Sequence, residues 1–208
     1  MRRRGMILIL SSPSGAGKTT LTRMLLQDKA LDLTLSISVT TRARRSSEVD
    51  GVHYHFIDRH QYDLLKSGGD LLESAEVHAN GYGTPRRPVD ENLARGGDML
   101  FDIDWQGARQ VREALGSDVV SVFILPPSMT ELRARLERRA EDSAATIGQR
   151  LENAKREIER WRLYDYVVIN EDLQRAYRQV VSILDAERTR GIRVAEGVEG
   201  FVAELLAG

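Results

Sequence analysis

Apolar residues along the chain fall into two alternating kinds of segment. Short unbroken runs of strand length occur at 7–10 (ILIL), 99–103 (MLFDI), 119–125 (VVSVFIL) and 166–169 (YVVI), and 33–39 (LTLSISV) alternates apolar and polar positions. Between them apolar positions recur every three or four residues. Leu21, Met24 and Leu25 form one such stripe, Ile147, Leu151, Ala154 and Ile158 another, and 173–187 a third. The first kind suits buried strands and the second suits helices that bury one face. Helices are predicted at 19–27, 105–115, from Met129 onward, and at 173–187. Strand and helix alternating in this way predicts an α/β fold, a parallel sheet flanked by helices.

The rhythm breaks between 38 and 97. The strand at 33–39 runs into TTRARR (40–45), Asp50-Gly51 marks a turn, and 53–56 (HYHF) is a short aromatic segment. A helix over 59–67 is stopped by Gly68-Gly69, and 71–77 (LLESAEV) follows. Asn80-Gly81-Tyr82-Gly83 reads as a turn with an aromatic at its centre, and Pro85 opens a helix that Gly96-Gly97 closes. The stretch therefore reads as an inserted lobe. A second polar break, at 140–146, separates two arginine-bearing helices, either as a lid hinge or as an exposed hairpin. The tail beyond Gly191 carries no pattern that assigns it an element.

Candidate chemistry starts where the first strand stops. SSPSGAGKTT (11–20) matches the phosphate-binding pattern at Gly17, Lys18 and Thr19, with Ser12 where the pattern's first glycine stands. Glycines let backbone N–H groups turn inward around phosphate oxygens, and the helix that follows adds its positive end. Lys18 supplies a point charge for the outer phosphates, and the Thr19 hydroxyl is a Mg²⁺ ligand.

Asp102 and Asp104 end the strand at 99–103, at the crevice end of a parallel sheet. Asp102 stands where a Mg²⁺-organising carboxylate belongs, whereas Asp104 either shares that face or caps the next helix. Arg42, Arg44 and Arg45 make either a solvated loop or an anion clamp. Arg135 and Arg139 lie one turn apart, with Arg150 just inside the following helix. His53 and His55 share a strand face, too few to make a metal site.

Composition narrows the picture. A formal charge of −1 supplies no overall field toward nucleic acid or membrane, and 41% apolar residues suffice for a sizeable core. The 26 arginines among the 30 basic residues suit bidentate phosphate binding, as genome composition alone also would. With no cysteine, disulfides and thiolate metal sites are excluded, leaving oxygen-ligated Mg²⁺. No apolar run approaches the roughly 20 residues of a membrane span, and MRRRG is short for a targeting peptide, so a cytoplasmic protein is expected.

Taken in order, SSPSGAGKTT, SISVTTRARR with EVDGVHYHF, LLESAEVHANGYGT, MLFDIDWQGARQVR, FILPPS and YDYVVINEDL resemble the guanylate kinase family over residues 7–183. The resemblance implies a P-loop parallel-sheet core (5–37, 98–138 and 151–208), a mixed α+β GMP-binding lobe (38–97) and a helical lid (139–150). It implies Mg²⁺-dependent transfer of the ATP γ-phosphoryl group to GMP, and to dGMP, with ATP and GMP as partners; with the near-neutral charge, no nucleic-acid or membrane partner is expected, and monomer and homo-oligomer stay open.

Carried over by residue, ATP binding falls on Ser12, Pro13, Ser14, Gly15, Ala16, Gly17, Lys18, Thr19 and Thr20, with Arg135, Arg139 and Asn170. GMP binding falls on Ser38, Arg42, Arg45, Tyr54, Glu73, Tyr82, Thr84 and Asp104. Catalysis falls on Lys18, Arg42, Arg135, Arg139, Arg150 and Asp102, and the metal on Thr19 and Asp102, partly through water. Ser12, the NGYG turn and Arg139-Ala140 depart from the family pattern, and the last bears on lid mobility. A transfer-dead binding module and a P-loop kinase for another phosphorylated acceptor are the alternatives. Lys18, Thr19, Asp102 and the lid arginines disfavour the first; Ser38, Glu73 and Asp104 disfavour the second.

Overall fold

The computed structural model describes residues 3–138 and 144–208. In chain order the elements are β1 (Ile7–Ser11), α1 (Lys18–Gln27), β2 (Leu33–Leu35), β3 (Val39–Thr40), β4 (His55–Phe56), α2 (Arg59–Gly68), β5 (Leu71–Val77) and β6 (Asn80–Pro85). There follow α3 (Arg86–Ala94), β7 (Asp98–Asp102), α4 (Trp105–Leu115), β8 (Val119–Leu125), α5 (Met129–Glu137), α6 (Ala144–Ile158), β9 (Tyr166–Ile169), α7 (Leu173–Arg188) and α8 (Gly191–Ala207). Arg139, and the hinge expected around Ala140, lie outside the described residues.

The core is a five-stranded sheet in the order β2-β7-β1-β8-β9, with every pairing parallel. This is the expected α/β core. β1 is central, and its alternate residues face opposite layers. Leu8 and Leu10 pack with Leu21 and Leu25 of α1 and Val180 and Leu184 of α7. Ile7 and Ile9 pack with Val89 and Leu93 of α3 and Val111 of α4. Burial on both faces is why these strands read as unbroken apolar runs.

Asp98, at the start of β7, is 1% exposed and ties three distant segments. Its carboxylate accepts from Arg3 (2.7 Å twice), Arg188 (2.8 Å) and the Met6 N–H (3.0 Å). Burial pushes this carboxyl up, but those donors outweigh it and hold it below the usual range.

A second, mixed sheet of order β4-β3-β6-β5 is built from the interrupting stretch. Three sequence expectations change here and at the tail. The segment 33–39 is not one strand: Leu33–Leu35 pairs with β7, and Val39–Thr40 pairs with β4 and β6 in the other sheet. Its alternating pattern serves two sheets, with Ser36 to Ser38 passing between them.

The turn expected at Asn80–Gly83 lies instead at His78 and Ala79, which take left-handed conformations (φ 49° and 63°), so that Asn80–Pro85 is strand. Gly81 and Gly83 are needed for space rather than for turning. A Cβ on Gly81 would lie 2.6 Å from the Tyr62 ring, and one on Gly83 would lie 2.9 Å from the Glu73 carbonyl oxygen. Finally, the tail is helical. α8 is held through Glu187, which accepts from Arg193 (3.2 Å) and from the Tyr166 hydroxyl (2.7 Å). Among the described residues no helix is long and apolar enough to cross a membrane.

Candidate active site

β1 delivers the chain to the phosphate loop, where the Ser11 hydroxyl donates to the Ile103 carbonyl (3.0 Å) and locks the ends of β1 and β7 together. Gly15 and Gly17 sit at φ 92° and 102°, conformations that only glycine adopts without strain. At Gly17 a Cβ would also fall 2.3 Å from the Asn170 amide nitrogen. That amide donates to the Ala16 carbonyl (2.8 Å), so the residue ending β9 braces the loop from behind. Gly17 caps α1 without a side chain to offer it. The first N–H groups of α1, with the helix dipole behind them, point to where an anion would sit.

Lys18 opens α1 and its ammonium pairs with the Asp102 carboxylate. Burial lowers the Lys18 ammonium to about 8, against the opposing pull of Asp104 and Glu157. Thr19 lies beside it in the first turn of α1. Among the described residues no group of three or more His, Cys, Asp or Glu side chains forms a metal cage. Thr19 and Asp102 nonetheless fit Mg²⁺, which keeps most of its waters and takes one or two protein oxygens beside phosphates.

Arg135, on α5, also touches the loop. It donates to the Ala16 carbonyl (3.4 Å), the Asn170 carbonyl (3.1 Å) and Glu131 (2.9 Å). A cleft of about 440 Å³ opens there, lined by Gly15, Gly17, Thr20, Arg135 and Asn170 among others. Arg150 is on α6; Arg139 lies outside the described residues.

On the inserted sheet, the β5–β6 register sets Glu73 opposite Thr84. Glu73 is 6% exposed, its carboxylate accepts from the Thr84 hydroxyl (2.8 Å), and the Ser38 hydroxyl lies 3.4 Å from that of Thr84. A Cβ on Gly107 would lie 3.2 Å from the Glu73 carboxylate, so the first turn of α4 closes over it. Burial pushes the Glu73 carboxyl up; the Thr84 hydroxyl pulls it down and Asp104 raises it further. Asp104 is itself the N-cap of α4, accepting from the N–H groups of Gln106 (2.9 Å) and Gly107 (3.0 Å). The capping alternative for Asp104 is thus realised, in a position that also faces Glu73.

Tyr82 and Thr84 are two apart on β6 and share a face. The Tyr54 and Tyr82 rings meet edge to face at 5.9 Å, and the Arg42 guanidinium sits 5.6 Å from the centre of Tyr54. Glu48, which sequence reasoning missed, holds Arg42 in a two-pronged ion pair (2.7 and 3.1 Å) and accepts the Arg45 N–H (2.8 Å). Arg42 drives the Glu48 carboxyl down to about 2. No spacing signal points to Glu48, because its partner is six residues away in an irregular loop. His53 accepts the Val49 N–H (3.0 Å), a packing role.

Ser38, Tyr54, Glu73, Tyr82 and Thr84, with Arg42, are therefore gathered on the inserted sheet, and Ser12, Lys18, Asp102, Arg135 and Asn170 around the loop. Asp104 stands at the junction, lining a small cavity with Ser12 and Lys18.

A protein-family model described as guanylate kinase matches residues 4–187. A guanylate kinase of Chelativorans sp. strain BNC1 is 60% identical over 207 residues, covering 100% of this chain and 94% of that protein. One from Agrobacterium fabrum is 56% identical over 204 residues, covering 98% and 92%. The crystal structure of guanylate kinase from Anaplasma phagocytophilum superposes with a TM-score of 0.73 at 41% identity, covering 92% of this chain and 90% of that one.

Proposed function

The chain belongs to the guanylate kinase family, whose reaction is ATP:GMP phosphotransfer, and on that premise we propose how its residues divide the work. The observation that carries the division is a buried, hydroxyl-bonded carboxylate, Glu73, on the inserted sheet of a molecule whose core sheet ends in an anion-ready loop.

Glu73, Thr84, Ser38 and Asp104 read the acceptor base. Guanine presents two donors on one edge, N1–H and the exocyclic amine, and a carboxylate accepts both. Adenine lacks the pair and would strand Glu73, a mismatch that a hydrogen-bonding site punishes by up to about 10⁴ to 10⁵. Arg42, Arg45, Tyr54 and Tyr82 hold the acceptor phosphate, with Glu48 keeping Arg42 extended beforehand. The acceptor phosphate has a second pKa of about 6 and is largely a dianion at neutral pH, so no general base is needed.

The loop from Ser12 to Thr20 wraps the donor phosphates with its N–H groups, and Arg135 and Asn170 brace it. Lys18 with Arg135, Arg139 and Arg150 neutralises charge on the moving phosphoryl group. Thr19 and Asp102 would hold Mg²⁺, which when bound supplies further charge neutralisation between the phosphates. Transfer then needs alignment and electrostatics, with residues 38–97 carrying the acceptor and 139–150 acting as a lid. A cytoplasmic setting suits an enzyme that draws on the ATP pool.

A panel of acceptors tests the assignment by ADP release. GMP and dGMP should be phosphorylated and AMP, CMP and UMP should be at least about 1,000-fold poorer in kcat/KM, within the range that unpaired buried groups support. AMP used as well as GMP would overturn the role given to Glu73.

A further inference from the structure

Asp102 is not the only carboxylate facing Lys18. A cavity of about 80 Å³ lies between the phosphate loop, the start of α4 and α6, lined by Ser12, Lys18, Asp104, Trp105, Glu157 and Tyr164 among others. Glu157 is the contribution of α6. Nothing in the roles above uses it, and no sequence pattern singled it out.

Its placement is fixed on both sides. Toward the start of α6, Ile147, Leu151 and Ala154 pack on Leu132 and Leu136 of α5. Those same leucines back the loop, since a Cβ on Gly15 would lie 3.0 and 3.1 Å from them. One turn beyond Glu157, the Arg160 guanidinium lies over the Trp105 ring at 4.1 Å, tying α6 to the residue that follows Asp104. An apolar stripe and a cation–π contact thus aim one acidic side chain at the loop.

The groups facing Lys18 have distinct commitments. Asp102 makes the ion pair, and Asp104 spends an oxygen on the N-terminus of α4. Glu157 completes the set from α6, across the cavity it lines with Lys18 and Asp104; burial and Asp104 push its carboxyl up, against the opposing pull of Arg160, the Ser14 N–H and Lys18.

We infer that Glu157 is a positioning residue for phosphoryl transfer, which holds the Lys18 ammonium toward the loop against capture by Asp102 and links α6, the helix after the lid, to the donor site. The physical reason is a balance. An ammonium paired with one carboxylate and facing a second, more distant one across a small cavity feels both, and the second pull favours positions that lean away from the first. Removing one pull delivers the ammonium wholly to the other. With Glu157 neutral, Lys18 would stay on Asp102 and arrive late or askew at the donor phosphates.

This inference rests on the kinase reading, and its test separates the two. Wild type, Glu157→Gln, Glu157→Asp and a control on the same helix, Glu152→Gln, are assayed with ATP and GMP varied independently. Glu152 is exposed and pairs with Lys155 (2.7 Å). Expected is a loss of at least about tenfold in kcat for Glu157→Gln, equivalent to about 1.4 kcal/mol. The KM for ATP should rise, the KM for GMP should stay within about twofold, and the melting temperature and Glu152→Gln should match wild type. Glu157→Asp, which keeps the charge at shorter reach, should recover part of the loss. An active wild type whose Glu157→Gln variant keeps full kcat, or loses activity only in step with its melting temperature, would overturn the inference. An inactive wild type would instead overturn the kinase assignment itself.

Discussion

Burying the Glu73 carboxyl costs the empty protein stability, because it gives up water for one hydroxyl donor. Its folded pKa lies above the ordinary value of 4.5. The sign follows from linkage. The folded state favours the protonated form, so stability is greatest below that value and declines as pH rises through the raised folded pKa. Glu73→Gln removes the penalty and the guanine recognition together. Its melting temperature should equal or exceed that of wild type, by a margin that widens from about pH 4 to about pH 7. Its kcat/KM for GMP should fall at least about 100-fold. A variant that melts earlier at neutral pH and keeps its GMP activity would refute both halves.

Lys18 behaves differently, since its ammonium is not part of the apolar core. Lys18→Ala should lose at least about 1,000-fold in kcat, the scale of a lost phosphate-stabilising cation, with an unchanged circular dichroism spectrum. Retention of near-normal turnover would remove Lys18 from the mechanism.

Among elements, the hairpin between β5 and β6 carries a local strain that the sequence disguised. The dipeptide Asn80-Gly81 is a familiar turn signal, yet the left-handed positions fall on His78 and Ala79. The register of Glu73 against Thr84 and of Ala75 against Tyr82 decides the matter. A turn two residues later would move the functional side chains off their partners. Alanine in the left-handed region costs roughly 1 to 2 kcal/mol, so Ala79→Gly should raise the urea midpoint without altering its slope. A fall in the midpoint would contradict this account of the turn.

β7 shows the converse, an element whose start is pure architecture. Asp98→Asn leaves Arg3 and Arg188 facing a neutral amide and should destabilise by about 3 to 5 kcal/mol, the cost of breaking a buried pair. In the wild type the lowered folded pKa of Asp98 adds stability that is present above its ordinary value of 3.8 and lost as pH falls through the folded value. Acid titration of the melting temperature checks this, and the variant should show a shallower acid limb.

At the scale of the whole molecule, the parallel core was legible because its strands are buried on both faces and its helices on one. The phosphate loop was legible because glycine spacing, a lysine and a hydroxyl are dictated locally by the anion. The inserted sheet was only partly legible. β3 and β4 are two residues each, too short for periodicity, and β2 and β3 were merged because alternation continues across the passage between the sheets. Glu48 and Glu157 were illegible, since each acts through a contact set by tertiary packing rather than by spacing. α8 escaped although Val194, Val198, Phe201 and Leu205 recur at helical spacing, because Gly197 and Gly200 interrupt the run and lower its helix propensity; the stripe is left largely to solvent, with Phe201 51% and Leu206 83% exposed.

The two halves, base-reading sheet and phosphate loop, have meaning only if one phosphoryl group passes directly between their ligands. The direct test is a rapid-quench single turnover with ATP labelled in its γ-phosphate, excess enzyme, GMP and magnesium. The label should appear in GDP as it leaves ATP, with none on the denatured protein and little as inorganic phosphate. Label accumulating on the protein, or released only to water, would contradict the account.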